Sequence, residues 1–246
     1  MEKKIFDSPE AVSVELSKYL IKKINEKILK GGRFSIALSG GNTPKLFYHT
    51  LSRSPFKDEI SWEKIEVFWG DERCVPPDDE QSNYGMAKYY LLDKVGLKKE
   101  NIHRMKGENE PPAEAERYAE EIKQVLSVDG NNLAIGQADL PILDFMLQGI
   151  GEDGHTASLF PNQDLDHVHD NICGVGDRQG QKRISLTYDV INNASNVSFL
   201  VTGKEKAVPI HDVIVEKKDL PSARIKPKQG ELIWWLDKEA ASRLTE

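Results

Sequence analysis

The chain has 246 residues, of which 39% are hydrophobic and 30% charged, and its formal net charge is −7. This acidic balance argues against a nucleic-acid partner, and no apolar run is long enough to cross a bilayer. The N-terminus lacks the apolar segment of a signal peptide, and Cys74 and Cys173 have neither metal-ligand nor redox spacing. We therefore expect a cytoplasmic protein with reduced thiols, no membrane partner and one domain spanning residues 1–246.

A long amphipathic helix opens the chain. Asp7 is the predicted N-cap, Pro9 suits the first turn, and apolar residues recur at four-residue spacing from Val12 to Ile28. Gly31 and Gly32 are expected to end the helix.

The first candidate ligand loop follows a buried strand. That strand, 34–38, runs into Ser39-Gly40-Gly41 and then a helix predicted over 45–51. A glycine-rich turn between strand and helix binds phosphate well, because backbone N–H groups and the helix dipole face the anion. The hydroxyl groups of Ser39 and Thr43 add donors. Glycines that merely allow a sharp reversal are an equally good explanation of this motif taken alone.

A second strand, 65–69, ends in Gly70 and the charged residues Asp71, Glu72 and Arg73. Solvated charges at a strand end are the ordinary explanation. Against it, this strand end and the Ser39 loop are expected at one edge of a parallel sheet. Ser82 then caps a helix that is predicted to continue to about Leu92.

The middle of the chain is less distinctive. A short strand is predicted over 101–106, an amphipathic helix over 111–126 and a polar surface loop over 127–138. Farther on, His167 and His169 stand among carboxylates. We interpret that segment as a solvated loop, since nothing distant in the sequence completes a metal-ligand set.

The most informative stretch follows the strand predicted over 141–147. Gly149, Gly151 and Gly154 fall within six residues, and Asp153 and His155 belong to the same turn. Glycines at a strand end let the backbone approach a ligand closely. Histidine has an ordinary pKa of about 6.5 and can serve as a general base near neutral pH.

The last third predicts strands over 183–187, 197–202 and 232–236, with a turn or short helix over 220–225 and a closing helix, 238–244, capped by Asp237. The strand ending at Thr202 leads into Gly203, Lys204 and Lys206 at the start of a helix, which again suits an anion.

Alternating strands and helices predict an α/β fold with a Rossmann-like, doubly wound, mostly parallel sheet and helices on both faces. The strand ends would share one crevice. Its anion-binding side would contain Ser39, Gly40, Gly41 and Lys206, and its chemical side would contain Asp71, Arg73 and His155.

Seven segments together resemble the 6-phosphogluconolactonase family. They are ALSGGNTPKLFY, FWGDERCVP followed by SNYGMA, DFMLQGIGEDGHTASLFP, RISLT, and FLVTGKEKA with LPSARIKP. The resemblance runs from about Ser35 to the last strand. It implies a sugar-phosphate isomerase-like fold and hydrolysis of a phosphorylated sugar lactone, 6-phospho-D-glucono-1,5-lactone, without metal or cofactor.

The resemblance also implies roles for individual residues. His155 would be the general base, with Asp153 orienting it, Arg73 or loop N–H groups stabilising the oxyanion, and Asp71 holding a hydroxyl or the water. The 6-phosphate would lie on the Ser39 loop with Arg183 and Lys206. Pro209, a departure from the family pattern, could alter how Lys206 is presented.

Two alternatives are retained. Glucosamine-6-phosphate deaminases look similar, but they have a tyrosine where this chain has Arg73, and a glutamate where it has Phe160. The second alternative is a non-catalytic sugar-phosphate sensor. Such domains usually lose the base, whereas this chain retains His155.

Overall fold

The computed structural model describes residues 1–128 and 140–244 and is built around a six-stranded sheet. Its strands are β1 (Glu2–Phe6), β2 (Phe34–Leu38), β3 (Ile65–Trp69), β5 (Phe145–Gln148), β9 (Asn196–Val201) and β10 (Glu231–Asp237). They lie in the order β1-β10-β9-β5-β2-β3, and every pair is parallel. The predicted α/β class and mostly parallel sheet are confirmed.

The chain reverses its direction of winding at β2. From β2 it moves outward to β3, and it later returns to place β5 on the other side of β2. In open α/β sheets, ligands bind outside the carboxyl ends of strands at such a switch point. The loops after β2, β3 and β5 therefore surround the expected binding crevice.

A second, antiparallel sheet was not predicted. It contains β4 (Asp71–Arg73), β6 (Asp166–His169), β7 (Cys173–Arg178) and β8 (Gln181–Leu186), in the order β4-β8-β7-β6. The charged segment after β3 is thus a strand rather than a solvated end. Part of the predicted loop after Pro161 forms the edge strand β6, and the strand predicted over 183–187 belongs to this second sheet.

Six helices flank the sheets within the described residues. They are α1 (Pro9–Ile28), α2 (Asn42–Leu51), α3 (Asn83–Tyr90), α4 (Pro111–Val128), α5 (Tyr188–Asn193) and α6 (Ala207–Ile214). The N-cap of α1 is Ser8 rather than Asp7, because the Ser8 side chain accepts from the Ala11 N–H at 3.3 Å. Of these helices, none is both long enough and apolar enough to cross a membrane.

Several local predictions need correction. The strand predicted over 101–106 is a single bridge from Ile102 to Val67. The closing helix predicted over 238–244 is a series of turns, although Asp237 does accept from the Ala240 N–H at 2.8 Å. Helix α4 includes the first two residues of the loop predicted over 127–138, and the rest of that loop lies outside the described residues.

The main hydrophobic cluster lies on the central sheet. All five residues of β2 and all five of β3 are buried, which is typical of parallel strands covered on both faces. Phe199 and Trp234 stack across β9 and β10 with their ring centroids 4.1 Å apart. This packed sheet fixes the strand ends from which the functional loops project.

Candidate active site

A cavity of about 370 Å³ opens at the carboxyl ends of β2 and β5, where the chain reverses its winding. Eight of the ten residues predicted for the site line it: Ser39, Gly40, Gly41, Asp71, Arg73, His155, Arg183 and Lys206. Residues separated by more than 160 positions are thus brought together at one edge of the sheet. Asp153 is not among the lining residues but contacts two of them, His155 and Arg178, and Thr43 lies elsewhere.

The Ser39 loop presents backbone donors to the cavity. The buried Tyr48 hydroxyl donates to the Ser39 carbonyl at 2.7 Å and accepts from the Ser39 N–H at 3.0 Å, which fixes the end of β2. Gly41, at φ +95°, is the N-cap of α2, and among the described residues no side chain caps this helix. The first N–H groups of α2 therefore remain available to an anion.

His155 and Asp153 form a hydrogen-bonded pair, with Nδ1 of the ring 2.5 Å from Oδ1 of the carboxylate. Burial lowers the pKa of His155, and the opposing effect of Asp153 does not cancel it. Burial is the largest influence on the pKa of Asp153 and acts to raise it, but the hydrogen bonds to His155 and the charges of His155 and Arg178 together lower that pKa. The pair is thus a neutral imidazole held by a carboxylate at Nδ1.

The turn that carries this pair depends on glycine. An ideal Cβ on Gly151 would lie 2.0 Å from Nδ1 of His155, so the ring occupies space that only glycine leaves free. Gly154 has a φ of +79°, and its carbonyl accepts from the N–H and hydroxyl of Ser222 at 3.0 and 2.9 Å. The turn over 221–224 therefore anchors the histidine loop from outside.

Asp71 is buried and held by two neighbours. Its Oδ2 accepts from the Ser158 hydroxyl at 2.7 Å, and its Oδ1 accepts from the Asn83 amide at 3.3 Å. Asn83 in turn packs on Gly40, where an ideal Cβ would lie only 1.8 Å from the Asn83 Oδ1. Asn83, at the start of α3, therefore connects the glycine loop to Asp71.

Three arginines from the second sheet border the cavity. Arg73 and Arg183 are register partners across β4 and β8, and Arg178 ends β7. The Nε atoms of Arg73 and Arg183 are buried without a hydrogen-bond partner in the described part of the chain. Burial and the charge of Arg73 lower the pKa of Arg183. Such a concentration of guanidinium groups suits an anionic ligand.

Sequence reasoning missed Arg178 and Asn83. Arg178 belongs to a strand that was not predicted, so its register toward the cavity could not be inferred. Asn83 lies in the SNYGMA segment, directly after the Ser82 cap that was predicted, but a cap position alone does not indicate a ligand site.

The two lysines near the cavity differ in position. Lys206 lines the cavity at the end of a 3₁₀ turn, Lys204–Lys206, whereas Lys204 is not among its lining residues. Helix α6 begins at Ala207, so Pro209 lies in its first turn, where a missing N–H costs no hydrogen bond. Thr43 lines a neighbouring pocket with Thr202 and Gly203. Its role as a hydrogen-bond donor to the substrate phosphate stays a prediction, which this position does not support.

The histidines after Pro161 do not line this cavity. His169 contacts Glu120 and Asp170, whose donor atoms lie within 4.8 Å of one another. Lys123 pairs with both carboxylates, so a lysine ammonium already neutralises this group. Within the described ranges, this cluster is better described as a surface ion-pair network than as a metal centre.

Known proteins are similar to this chain in both sequence and fold. The chain is 40% identical to a 6-phosphogluconolactonase of Haemophilus influenzae over 213 residues, covering 85% of this chain and 87% of the relative. It is also 40% identical to one of a Nostoc species over 230 residues, covering 92% and 91%. The solved 6-phosphogluconolactonase of Trypanosoma brucei superposes with a TM-score of 0.81 at 26% identity, covering 99% and 98% of the two chains.

A family model described as glucosamine-6-phosphate isomerases/6-phosphogluconolactonase matches residues 7–234. Together with the identities to the two bacterial relatives, this match shows that the chain belongs to the glucosamine-6-phosphate isomerase/6-phosphogluconolactonase family.

Proposed function

We propose that this chain is a hydrolase that converts 6-phospho-D-glucono-1,5-lactone and water to 6-phospho-D-gluconate, the lactone-opening step of the oxidative pentose phosphate pathway. The observation that carries the proposal is that His155, paired with Asp153, lines the same cavity as the glycine loop and Lys206. A base at one end and an anion site at the other match a lactone that carries a phosphate. The curated relatives bear the same activity in their names.

His155 is the proposed general base. Because Asp153 bonds to Nδ1, the neutral ring carries its proton there and its lone pair on Nε2. Nε2 takes a proton from water as the water oxygen attacks C1 of the lactone. The tetrahedral oxyanion then collapses, the bond from C1 to the ring oxygen breaks, and the imidazolium returns its proton to that oxygen. The new carboxylic acid loses its proton to solvent.

The negative charge that develops on the carbonyl oxygen needs hydrogen-bond donors. Arg73 offers its guanidinium, whose Nε is buried and unpartnered within the described residues, and the N–H groups of the histidine loop are the alternative. Asp71 has two oxygens with about four acceptor sites, of which Ser158 and Asn83 use two. We assign Asp71 to a sugar hydroxyl or to the attacking water.

The phosphate is assigned to the other end of the cavity. The Ser39-Gly40-Gly41 loop and the start of α2 supply N–H donors, Arg183 supplies a planar fork, and Lys206 supplies a point charge. Holding the phosphate there positions C1 at His155, and fixing two reacting groups in this way lowers the entropic part of the barrier. The proposed substrate class is therefore a small phosphorylated sugar lactone.

The test is loss of freshly prepared 6-phosphogluconolactone, followed by coupling the product to its dehydrogenase. The chain should accelerate the reaction well above its spontaneous rate, and His155→Ala should lower turnover by about 10²–10⁴-fold. Binding without turnover would favour the sensor function. Release of ammonia from glucosamine 6-phosphate would favour the deaminase.

A further inference from the structure

Phe160 is a buried aromatic residue with charged and polar neighbours. Its ring centroid lies 5.1 Å from that of His155, and the guanidinium carbons of Arg178 and Arg183 lie 5.6 and 5.7 Å from it. The residue is only 6% exposed. One ring therefore contacts the proposed base and two of the three arginines that border the cavity.

Ordinary core packing does not account for this residue. The main hydrophobic cluster of the described residues includes Leu159, the preceding residue, but not Phe160. A turn in which the Leu159 N–H bonds to the Thr156 carbonyl directs the chain back beside His155. The ring thus lies outside that cluster and packs against three residues that line the cavity, His155, Arg178 and Arg183.

An aromatic ring suits the two arginines because its faces carry negative partial charge and attract guanidinium groups. Arg178 and Arg183 repel each other, and Arg73 adds a third positive charge beside Arg183. A ring contact offsets this repulsion without occupying the N–H donors of the arginines. A carboxylate would also offset it, but would occupy those donors. Nε of Arg183 accordingly stays free of partners in the described part of the chain and available to a ligand.

The same ring excludes water from one side of His155. The charged groups that face His155 are Asp153, Arg178 and Asp71. Arg178 also bears on Asp153, with Nη2 3.9 Å from Oδ2, while Oδ1 of that carboxylate bonds to the imidazole. The position of Arg178 against the ring therefore also sets how closely its positive charge approaches the His155–Asp153 pair.

We propose that Phe160 is a positioning residue for lactone hydrolysis, holding His155, Arg178 and Arg183 in one arrangement through a single aromatic ring. This inference rests on the proposed function. It assigns to position 160 a role in both halves of the site, since the ring contacts the base and the arginine assigned to the phosphate. Arg178 becomes part of the site through the same contact.

The test compares Phe160→Leu, which removes the ring but keeps an apolar side chain, with Phe160→Tyr, which keeps the ring. Phe34→Leu is the matched control, because Phe34 is also a buried phenylalanine but starts β2, whereas the cavity lies at the carboxyl end of that strand. For Phe160→Leu we expect kcat to fall at least about 10-fold and KM for the phosphorylated lactone to rise several-fold. The acid limb of the kcat/KM profile should move to higher pH as water reaches His155. Phe160→Tyr should retain most of the wild-type kcat, KM and pH profile.

A merely structural role would lower the melting temperature of Phe160→Leu and Phe34→Leu alike and leave the pH profile unchanged, and that result would overturn the inference. The His155 pKa, measured by NMR titration in wild type and Phe160→Leu, gives a readout independent of turnover. If the wild type fails to hydrolyse the lactone, the proposed function is wrong. An unchanged His155 pKa in an active enzyme overturns only the role of Phe160.

Discussion

The imidazole of His155 occupies the space that Gly151 leaves open, because an ideal Cβ on that glycine would lie 2.0 Å from Nδ1 of the ring and 2.7 Å from Oδ1 of Asp153. Glycine at position 151 thus leaves the space in which His155 and Asp153 form their hydrogen bond. This relationship makes the backbone at Gly151 as important to the proposed chemistry as the side chains are.

Gly151→Ala should therefore disable the base without unfolding the protein. The methyl group would push the His155 ring away from Asp153, and a displacement of about 1 Å can cost roughly 10²-fold in rate. Lactone turnover and the melting temperature measure the two effects. Gly96→Ala is the control, since its added Cβ meets no described atom within 4 Å. Normal turnover in Gly151→Ala would contradict the proposed geometry.

Asp153→Asn should lower kcat and also change the pH dependence of kcat/KM. The unprotonated ring is the active form, so kcat/KM falls as the pH drops through the His155 pKa. Burial already lowers that pKa, which places the acid limb below about 6.5. Asp153 acts in the opposite direction, so its neutralisation should move the acid limb to still lower pH while kcat falls about 10²-fold.

The measurement is a full profile of kcat/KM against pH for wild type and Asp153→Asn. Asp164→Asn removes an exposed carboxylate a few residues beyond the site and serves as the control. An acid limb that moves to higher pH in Asp153→Asn would show that the carboxylate does not support the charged imidazole.

Lys206→Ala and Lys204→Ala form a matched pair from one 3₁₀ turn. Only Lys206 lines the cavity, so its loss should raise KM for the phosphorylated lactone by about 10–100-fold, the value of a charged hydrogen bond. Lys204→Ala should leave KM unchanged. Unphosphorylated gluconolactone should react equally with both variants. A similar loss with that substrate would place Lys206 at the chemical end instead.

Glu72→Gln should destabilise the fold at the start of α3. The buried carboxylate accepts from the N–H groups of Arg73, Asn83 and Tyr84 at 2.7–2.8 Å, and from the Ser82 hydroxyl at 3.1 Å. Burial raises the pKa of Glu72 to about 7. A glutamine would present its NH₂ group to two of these donors, and each buried unsatisfied group costs about 1–3 kcal/mol.

Urea denaturation measures the loss of unfolding free energy in Glu72→Gln, and Glu80→Gln, at an exposed glutamate nearby, is the control. Equal stability of the two variants would mean that the four donors find other acceptors. Asn83 starts the same helix and holds Asp71, so turnover should fall together with stability.

Local patterns predicted much of the fold. The buried parallel strands β2, β3 and β9 are apolar runs that are each followed by a glycine within two residues. The sequence correctly predicted that their carboxyl ends meet at one cavity. Predictions failed where pairing depends on distant residues. The three residues of β4 form a strand only because β8, more than 100 residues later, lies beside them. The edge strand β1 likewise depends on β10.

The sequence by itself therefore determined the loops: glycines at strand ends, a histidine two residues after an aspartate, and cations at helix starts. These are local properties, because backbone conformation and strand period act over a few residues. Only the tertiary structure decided which side chains share the cavity. It added Arg178 and Asn83, left Thr43 in a neighbouring pocket, and placed the Phe160 ring between the base and the arginines. Those positions follow from antiparallel register and long-range packing, which no local pattern encodes.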